Sequence, residues 1–159
     1  MQATALTTEQ DCLNAVKLNA HAIEYIPTHL KTETMCEIAV NHNSMLLQHV
    51  PDHLKTPELC ETAVANASFV LEYIPAELQT ANLCLTAVLD NALNIRHVSD
   101  TLKTEDICCI AVTQNYHLLD EIPDSLKTEE MCITATHQSK KALAYVPKRF
   151  KRVCKDCAF

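Results

Sequence analysis

Apolar positions recur along this chain on a fixed period of 24 residues. Cysteine marks the period six times, at Cys12, Cys36, Cys60, Cys84, Cys108 and Cys132. Alanine follows three residues on in every copy, from Ala15 to Ala135. Valine comes next in all but the last, where Thr136 stands. An aliphatic column (Ile23, Leu47, Leu71, Ile95, Leu119, Leu143) precedes a β-branched one (Ile26, Val50, Ile74, Val98, Ile122, Val146). Proline follows except at Ser99, and then Leu30, its equivalents, and Phe150. Threonine opens each copy. The unit reads L-K-T-x-x-[ML]-C-x-x-A-V-x-x-N-x-x-x-[IL]-x-x-[IV]-P-x-x-L. Self-similarity at such a period is the mark of a repeat architecture.

Each unit predicts two short helices. Threonine is a good N-cap, because its hydroxyl accepts from a free amide of the first turn. Glu33, Glu105 and Glu129 then suit the positive end of the helix dipole. Pro57 stands where a missing N–H costs nothing. Met35, Cys36, Ala39 and Val40 form one helical stripe. Asn19, Asn43, Asn91 and Asn115 end the first helix. The chain has no glycine, so asparagine is expected to supply the left-handed residue that often ends a helix. A second helix is expected near residues 44–50, burying Leu47 and Val50 and stopping at Pro51. The leucine of P-x-x-L is expected to plug the gap between layers. Leucine-rich repeats have a similar period, but the second residue after their asparagine is apolar. Here that column holds His21, Met45, Phe69, Leu93, His117 and Lys141, which does not fit. The expectation is therefore an all-α, solenoid-like array of six short helix pairs over residues 1–147. Residues 148–159 form a basic C-terminal cap or tail. The array is expected to be right-handed or weakly curved and to present an extended surface.

The unit resembles a helical repeat family catalogued as a domain of unknown function. Such repeats occur in tandem in secreted effectors of intracellular bacteria and in large viruses of amoebae. The resemblance runs over about residues 6–151, and Leu71-Glu72-Tyr73-Ile74-Pro75-Ala76-Glu77-Leu78 is the nearest stretch. One departure concerns the helix end. The family commonly has Asn-Gly there, whereas this chain has Asn19-Ala20, Asn43-Ser44 and Asn91-Ala92. The resemblance implies a fold and, because the family carries no known catalytic motif, no activity.

Composition narrows the reading. At 159 residues a single domain is the default. Apolar residues make up 48% of the chain but aromatics only 4%, so the core must be aliphatic and thiol-rich. A repeat this small cannot fold alone, and stability is expected from neighbouring copies. Neither a membrane-spanning apolar run nor an N-terminal secretory leader is visible. Nine cysteines invite a disulfide or metal reading. Stacked helices lie about 8–10 Å apart, and a disulfide needs Cα atoms within about 7 Å. The ladder is therefore read as buried, reduced thiols in a reducing compartment. Cys154-Lys155-Asp156-Cys157 is at most half a zinc site and is read as a frayed terminal helix. No metal or cofactor is expected.

Charge is segregated. Residues 1–139 carry 6 basic and 19 acidic side chains, and residues 140–159 carry 7 basic and 1 acidic. Lys148, Arg149, Lys151, Arg152 and Lys155 are candidate contacts for a membrane surface or an acidic partner. Nucleic acid is not expected, because the acidic body would repel phosphates. A second candidate surface is the column Tyr25, His49, Tyr73, His97 and Tyr145, with Glu121 in the fifth copy. Arg96 joins it because copy four is irregular, with Asn94 and Ser99 off pattern. No glycine loop, nucleophile motif or paired carboxylates suggest an enzyme. The expected function is a non-enzymatic protein–protein interaction module. It is read as a secreted bacterial effector, cytoplasmic and delivered into a host cell without a cleaved signal peptide, with an unidentified partner. The alternative is a peripheral membrane adaptor bound through the basic, cysteine-containing C-terminus.

Overall fold

The computed structural model describes residues 8–157, apart from the side chain of Cys157. Six ten-residue α-helices recur at the expected places: α1 (Glu9–Leu18), α2 (Glu33–His42), α3 (Pro57–Asn66), α4 (Ala81–Asp90), α5 (Glu105–Gln114) and α6 (Glu129–Gln138). A shorter helix, α7 (Lys151–Cys157), follows. No strand occurs among the described residues. Each α-helix starts as its sequence requires. The hydroxyl of Thr56 accepts from the Leu59 amide at 3.2 Å, and Thr8, Thr32, Thr80, Thr104 and Thr128 do the same in their copies.

The second element differs from the expectation. It is a 3-10 helix, as at Ser44–His49, Ser68–Tyr73 and Ala92–His97. Length gives the reason. A 3-10 helix rises about 2 Å per residue, against about 1.5 Å in an α-helix. Six residues in the tighter form extend far enough to run along most of a ten-residue α-helix. The P-x-x-L segment forms a further 3-10 turn in copies one to three, for example Asp52–Leu54. Its leucines are half-buried, so they lean on the layers without filling a gap between them.

The helix ends also differ. No described residue has a positive φ. The residue ending each of the first six α-helices is extended, as at Asn43 (φ −152°, ψ 109°) and Ala67 (φ −155°, ψ 97°). Asparagine serves by another route. Its side-chain carbonyl accepts from the amide two residues on, Asn43 from Met45 at 3.1 Å and Asn115 from His117 at 3.1 Å. It therefore caps the start of the 3-10 helix, and Ser139 does the same for Lys141.

By contact the chain divides after Leu78 into two units, Met1–Leu78 and Gln79–Phe159. In the first, α1 packs on α2 and α2 on α3, the 3-10 helices Ala20–Tyr25 and Ser44–His49 each pack on their own α-helix and on the next, and Ser68–Tyr73 packs on α3. In the second, α4, α5, α6 and α7 stack in the same order. The core follows the sequence columns closely. All six ladder cysteines are 0% exposed, and the Ile26-to-Val146 column is buried throughout. Thr136 is buried in place of valine because its hydroxyl bonds back to the Cys132 carbonyl at 2.9 Å. Copy one departs at Asp11. It is exposed where the other copies bury Met35, Leu59, Leu83, Ile107 and Met131. Its carboxylate accepts from the Thr8 hydroxyl at 2.6 Å, so this face of the first copy is polar.

Cys154 corrects the reading of a frayed end. It lies within α7 and is 0% exposed. Its amide bonds the Phe150 carbonyl four residues back at 3.1 Å, as the Cys132 amide bonds Thr128 at 3.2 Å. Seven residues separate Pro147 from Cys154, against nine from Pro123 to Cys132. The connection is two residues shorter, and the cysteine still lands in the core as a seventh rung.

Burial sets the chemistry of these thiols. Desolvation pushes Cys36, Cys60, Cys84, Cys108 and Cys132 up to about 11. Thiols of the unfolded chain ionise near 9.0, whereas those of the folded chain hold their protons longer. Stability is therefore full below about pH 9 and falls as pH rises toward 11. Lys31, pushed down by the same desolvation, opposes this as one group against five. Urea unfolding followed by circular dichroism should show a midpoint that drops between pH 9 and 11. Ellman's reagent at pH 8 should label the ladder only as the chain unfolds.

Candidate functional site

The candidate column lies at the C-terminal ends of the 3-10 helices, just before the buried β-branched residue. What holds that end in place is a lysine the sequence reading quoted but gave no role. Lys31, one residue before the N-cap of α2, donates to the His49 carbonyl at 2.6 Å. Lys55 donates to Tyr73 at 2.5 Å, and Lys127 to Tyr145 at 3.1 Å. Each bond spans 18 residues and ties the entrance of one repeat to its exit. The ammonium is deeply placed; Lys127 is 7% exposed. Asp52, Asp100 and Asp124 pair with Lys55, Lys103 and Lys127 at 2.7–2.9 Å. These lysines hold Asp52 and Asp124 below the usual carboxylate range.

Copy four exchanges the parts of this clasp together. Gln79 replaces lysine and still donates to the His97 carbonyl at 2.9 Å. Ser99 replaces proline and so has an amide to satisfy, which donates to Gln79 Oε1 at 2.8 Å. A lysine could not accept that bond, and a proline could not make it. Ala76 stands where the lysine copies Lys55, Lys103 and Lys127 have aspartate, and Gln79 has no charge to pair. Asn94, also off pattern, is buried and donates to the Ala87 carbonyl at 2.9 Å. Two of the irregularities that pointed to a contact site are thus internal structure.

The candidate residues are placed as follows. In the first unit Tyr25 is 77% exposed, while His49 and Tyr73 are half-buried. Glu24 lies 2.7 Å from His21 Nδ1 and 3.9 Å from His49 Nε2. Glu72 pushes the Tyr73 phenol up by a hydrogen bond. An open depression of about 320 Å³ lies between Asp52, Lys55, Tyr73 and Pro75. In the second unit His97 is exposed and Tyr145 half-buried. Arg96 reaches across to the next 3-10 helix, its Nη2 2.9 Å from Glu121 Oε1. No described bond joins any two of the six. Five share a repeat position, Arg96 precedes it by one residue, and all six present separate side chains.

Of the basic set, Lys148, Arg152 and Lys155 are exposed and Lys151 is half-buried. Arg149 is occupied by the fold. Its Nη2 donates to the carbonyls of Asp124 at 2.5 Å and Lys127 at 3.0 Å, and its guanidinium lies 4.6 Å over the Phe150 ring. Two glutamines also went unread. Gln114 donates to the last carbonyls of α4 and accepts from the Ala92 amide, and Gln138 does the same between α5 and Tyr116. The recurrence of Lys31, Lys55 and Lys127 at multiples of 24 residues signals the clasp, while Lys103 in the same column pairs with Asp100. The glutamines occur in two copies only and gave none. Among the described residues no group of three or more His, Cys, Asp or Glu side chains could hold a metal ion. No helix there is long and apolar enough to cross a membrane.

Fold and surface together define a tandem helical-repeat protein. The chain belongs to the family described as Domain of unknown function (DUF4116), whose sequence profile matches residues 32–79 and 82–127. Each match spans two of the 24-residue copies. The matched region is narrower than the stretch over which the repeat itself runs. No curated protein and no solved structure matches the chain.

The clasp exchange has a measurable consequence. Gln79→Lys strands the Ser99 amide, and Ser99→Pro removes the backbone donor to Gln79 Oε1. Each single change should cost about 1–2 kcal/mol. The double variant restores the pattern of the other copies. It should recover most of the loss, giving a coupling of about 1 kcal/mol or more in a double-mutant cycle read by urea unfolding.

Proposed function

We propose that this chain is a non-enzymatic protein-interaction module that recognises its partner through the exposed positions of its 3-10 helices. One observation carries the reading. Most positions that repeat with the period are buried or bonded within their own repeat, whereas Tyr25, Arg96 and His97 stand on the surface. Cys, Ala, Val and the aliphatic columns form the core. The Thr, Asn and Lys columns close the repeat. Helical-repeat proteins bind through surfaces built from successive repeats. Tyr25, His49, Tyr73, His97 and Tyr145 supply aromatic and amphipathic side chains of the kind enriched at interfaces. Arg96 adds a half-exposed cation within an acidic body.

The resemblance to repeats of secreted bacterial effectors supports a host protein as the partner and the host cytosol as the place of action. The buried thiol ladder is compatible with a reducing compartment.

Arg96 gives the sharpest test. Its pair with Glu121 is half-exposed, so Arg96→Ala should change stability by less than about 1 kcal/mol. Affinity capture from host lysate, with native chain, Arg96→Ala and Tyr25→Ala in parallel, should yield a partner that the native chain retains and at least one variant loses. A partner held equally by all three would remove this face from consideration.

A further inference from the structure

Charge in this chain is segregated, and the fold accounts for only part of it. Of the six basic side chains before residue 140, Lys31, Lys55 and Lys127 clasp carbonyls, Lys103 pairs with Asp100 and Arg96 with Glu121. All but Lys17 of the body's cations are thus occupied, and carboxylates outnumber cations there by 19 to 6. Residues 140–157 reverse this, with seven cations and one carboxylate, the exposed Asp156 of α7. Of these seven, Arg149 is the one whose side chain bonds to the described fold. Lys140, Lys141, Lys148, Arg152 and Lys155 are exposed and Lys151 is half-buried.

These side chains come from one layer. They lie on the 3-10 helix Lys140–Ala144, on the turn after Pro147 and on α7, which packs on that 3-10 helix and on α6. One face of α7 is fixed by the buried Cys154, and Arg152, Val153 and Lys155 are exposed around it. Val153 is therefore an apolar side chain standing among cations, with the half-buried Phe150 ring nearby beneath Arg149.

We propose that this last layer docks on an anionic lipid surface. Six available cations fall within the range of about four to eight that holds a basic element at an anionic leaflet. The exposed Val153 favours a membrane over other polyanions. A nucleic acid would engage the charges and leave Val153 without an apolar environment. A soluble acidic peptide would engage the charges but leave Val153 without an apolar environment, which a lipid interface supplies. The contact is electrostatic in the main and weakens as salt shortens the Debye length.

Cosedimentation of the full chain with phosphatidylcholine vesicles, with and without phosphatidylserine, tests the proposal. The expected result is binding to the phosphatidylserine vesicles, reversed by salt, and none to phosphatidylcholine alone. Replacing Lys148, Arg152 and Lys155 together by Glu should lower the partition about tenfold or more, with the far-ultraviolet dichroism of the native chain. If that variant does not fold, Lys148→Gln with Arg152→Gln and Lys155→Gln carries the test. Val153→Asp should weaken binding as well. Equal binding to both vesicle types, or unchanged binding of the folded variants, overturns the proposal. So does equal binding to polyglutamate or to a short DNA duplex at matched anion concentration, since either would make the surface a general polyanion site.

Discussion

The structure depends on closing each repeat upon itself. An ammonium at the entrance of the repeat is held against a carbonyl at its exit, as between Lys55 and Tyr73. The carbonyl ends a 3-10 helix and lacks a partner within it, and the lysine supplies one. A buried carbonyl left open would cost about 1–3 kcal/mol, so the bond fixes where the second element must stop. The aspartate three residues before the lysine partly neutralises its charge at Lys55, Lys103 and Lys127. Once the ends are tied, the next threonine lies where it can cap the next helix, and the period is maintained.

The absence of glycine follows from the same geometry. Helices that turn through a left-handed residue favour glycine there, because a Cβ is penalised. Here every α-helix up to α6 ends on an extended residue, and extended backbone suits any side chain. Ala67 adopts the geometry with no capping side chain at all, so the connection does not rest on asparagine. Asparagine adds a bond to the following 3-10 helix, and serine does so at Ser139. Copies that differ at this position therefore share one backbone.

Irregularity in the array has two meanings. At Gln79 and Ser99 the sequence breaks pattern twice, and the breaks answer each other across one hydrogen bond. At Arg96 the departure is turned outward, to a carboxylate on the next 3-10 helix. Sequence distance from the consensus is the same kind of signal in both cases. Direction of the side chain separates them, and only the surface kind is open to a partner. The same distinction applies at the C-terminus, where Arg149 belongs to the fold and its basic neighbours do not.

The sequence alone determined the repeat, its helical first element, its capping threonines and nearly all of its core. Those features are local or periodic, and a column of Cys, Ala and Val at helical spacing has few other uses. It also separated an acidic body from a basic end. The tertiary structure decided three things that the columns left open. The second element is a 3-10 helix, because its length must match its partner. Cys154 is a seventh buried rung, because a shortened connection still delivers it to the core. The recurring lysine is a clasp, because its acceptor lies 18 residues away on the backbone, where no side-chain pattern records it.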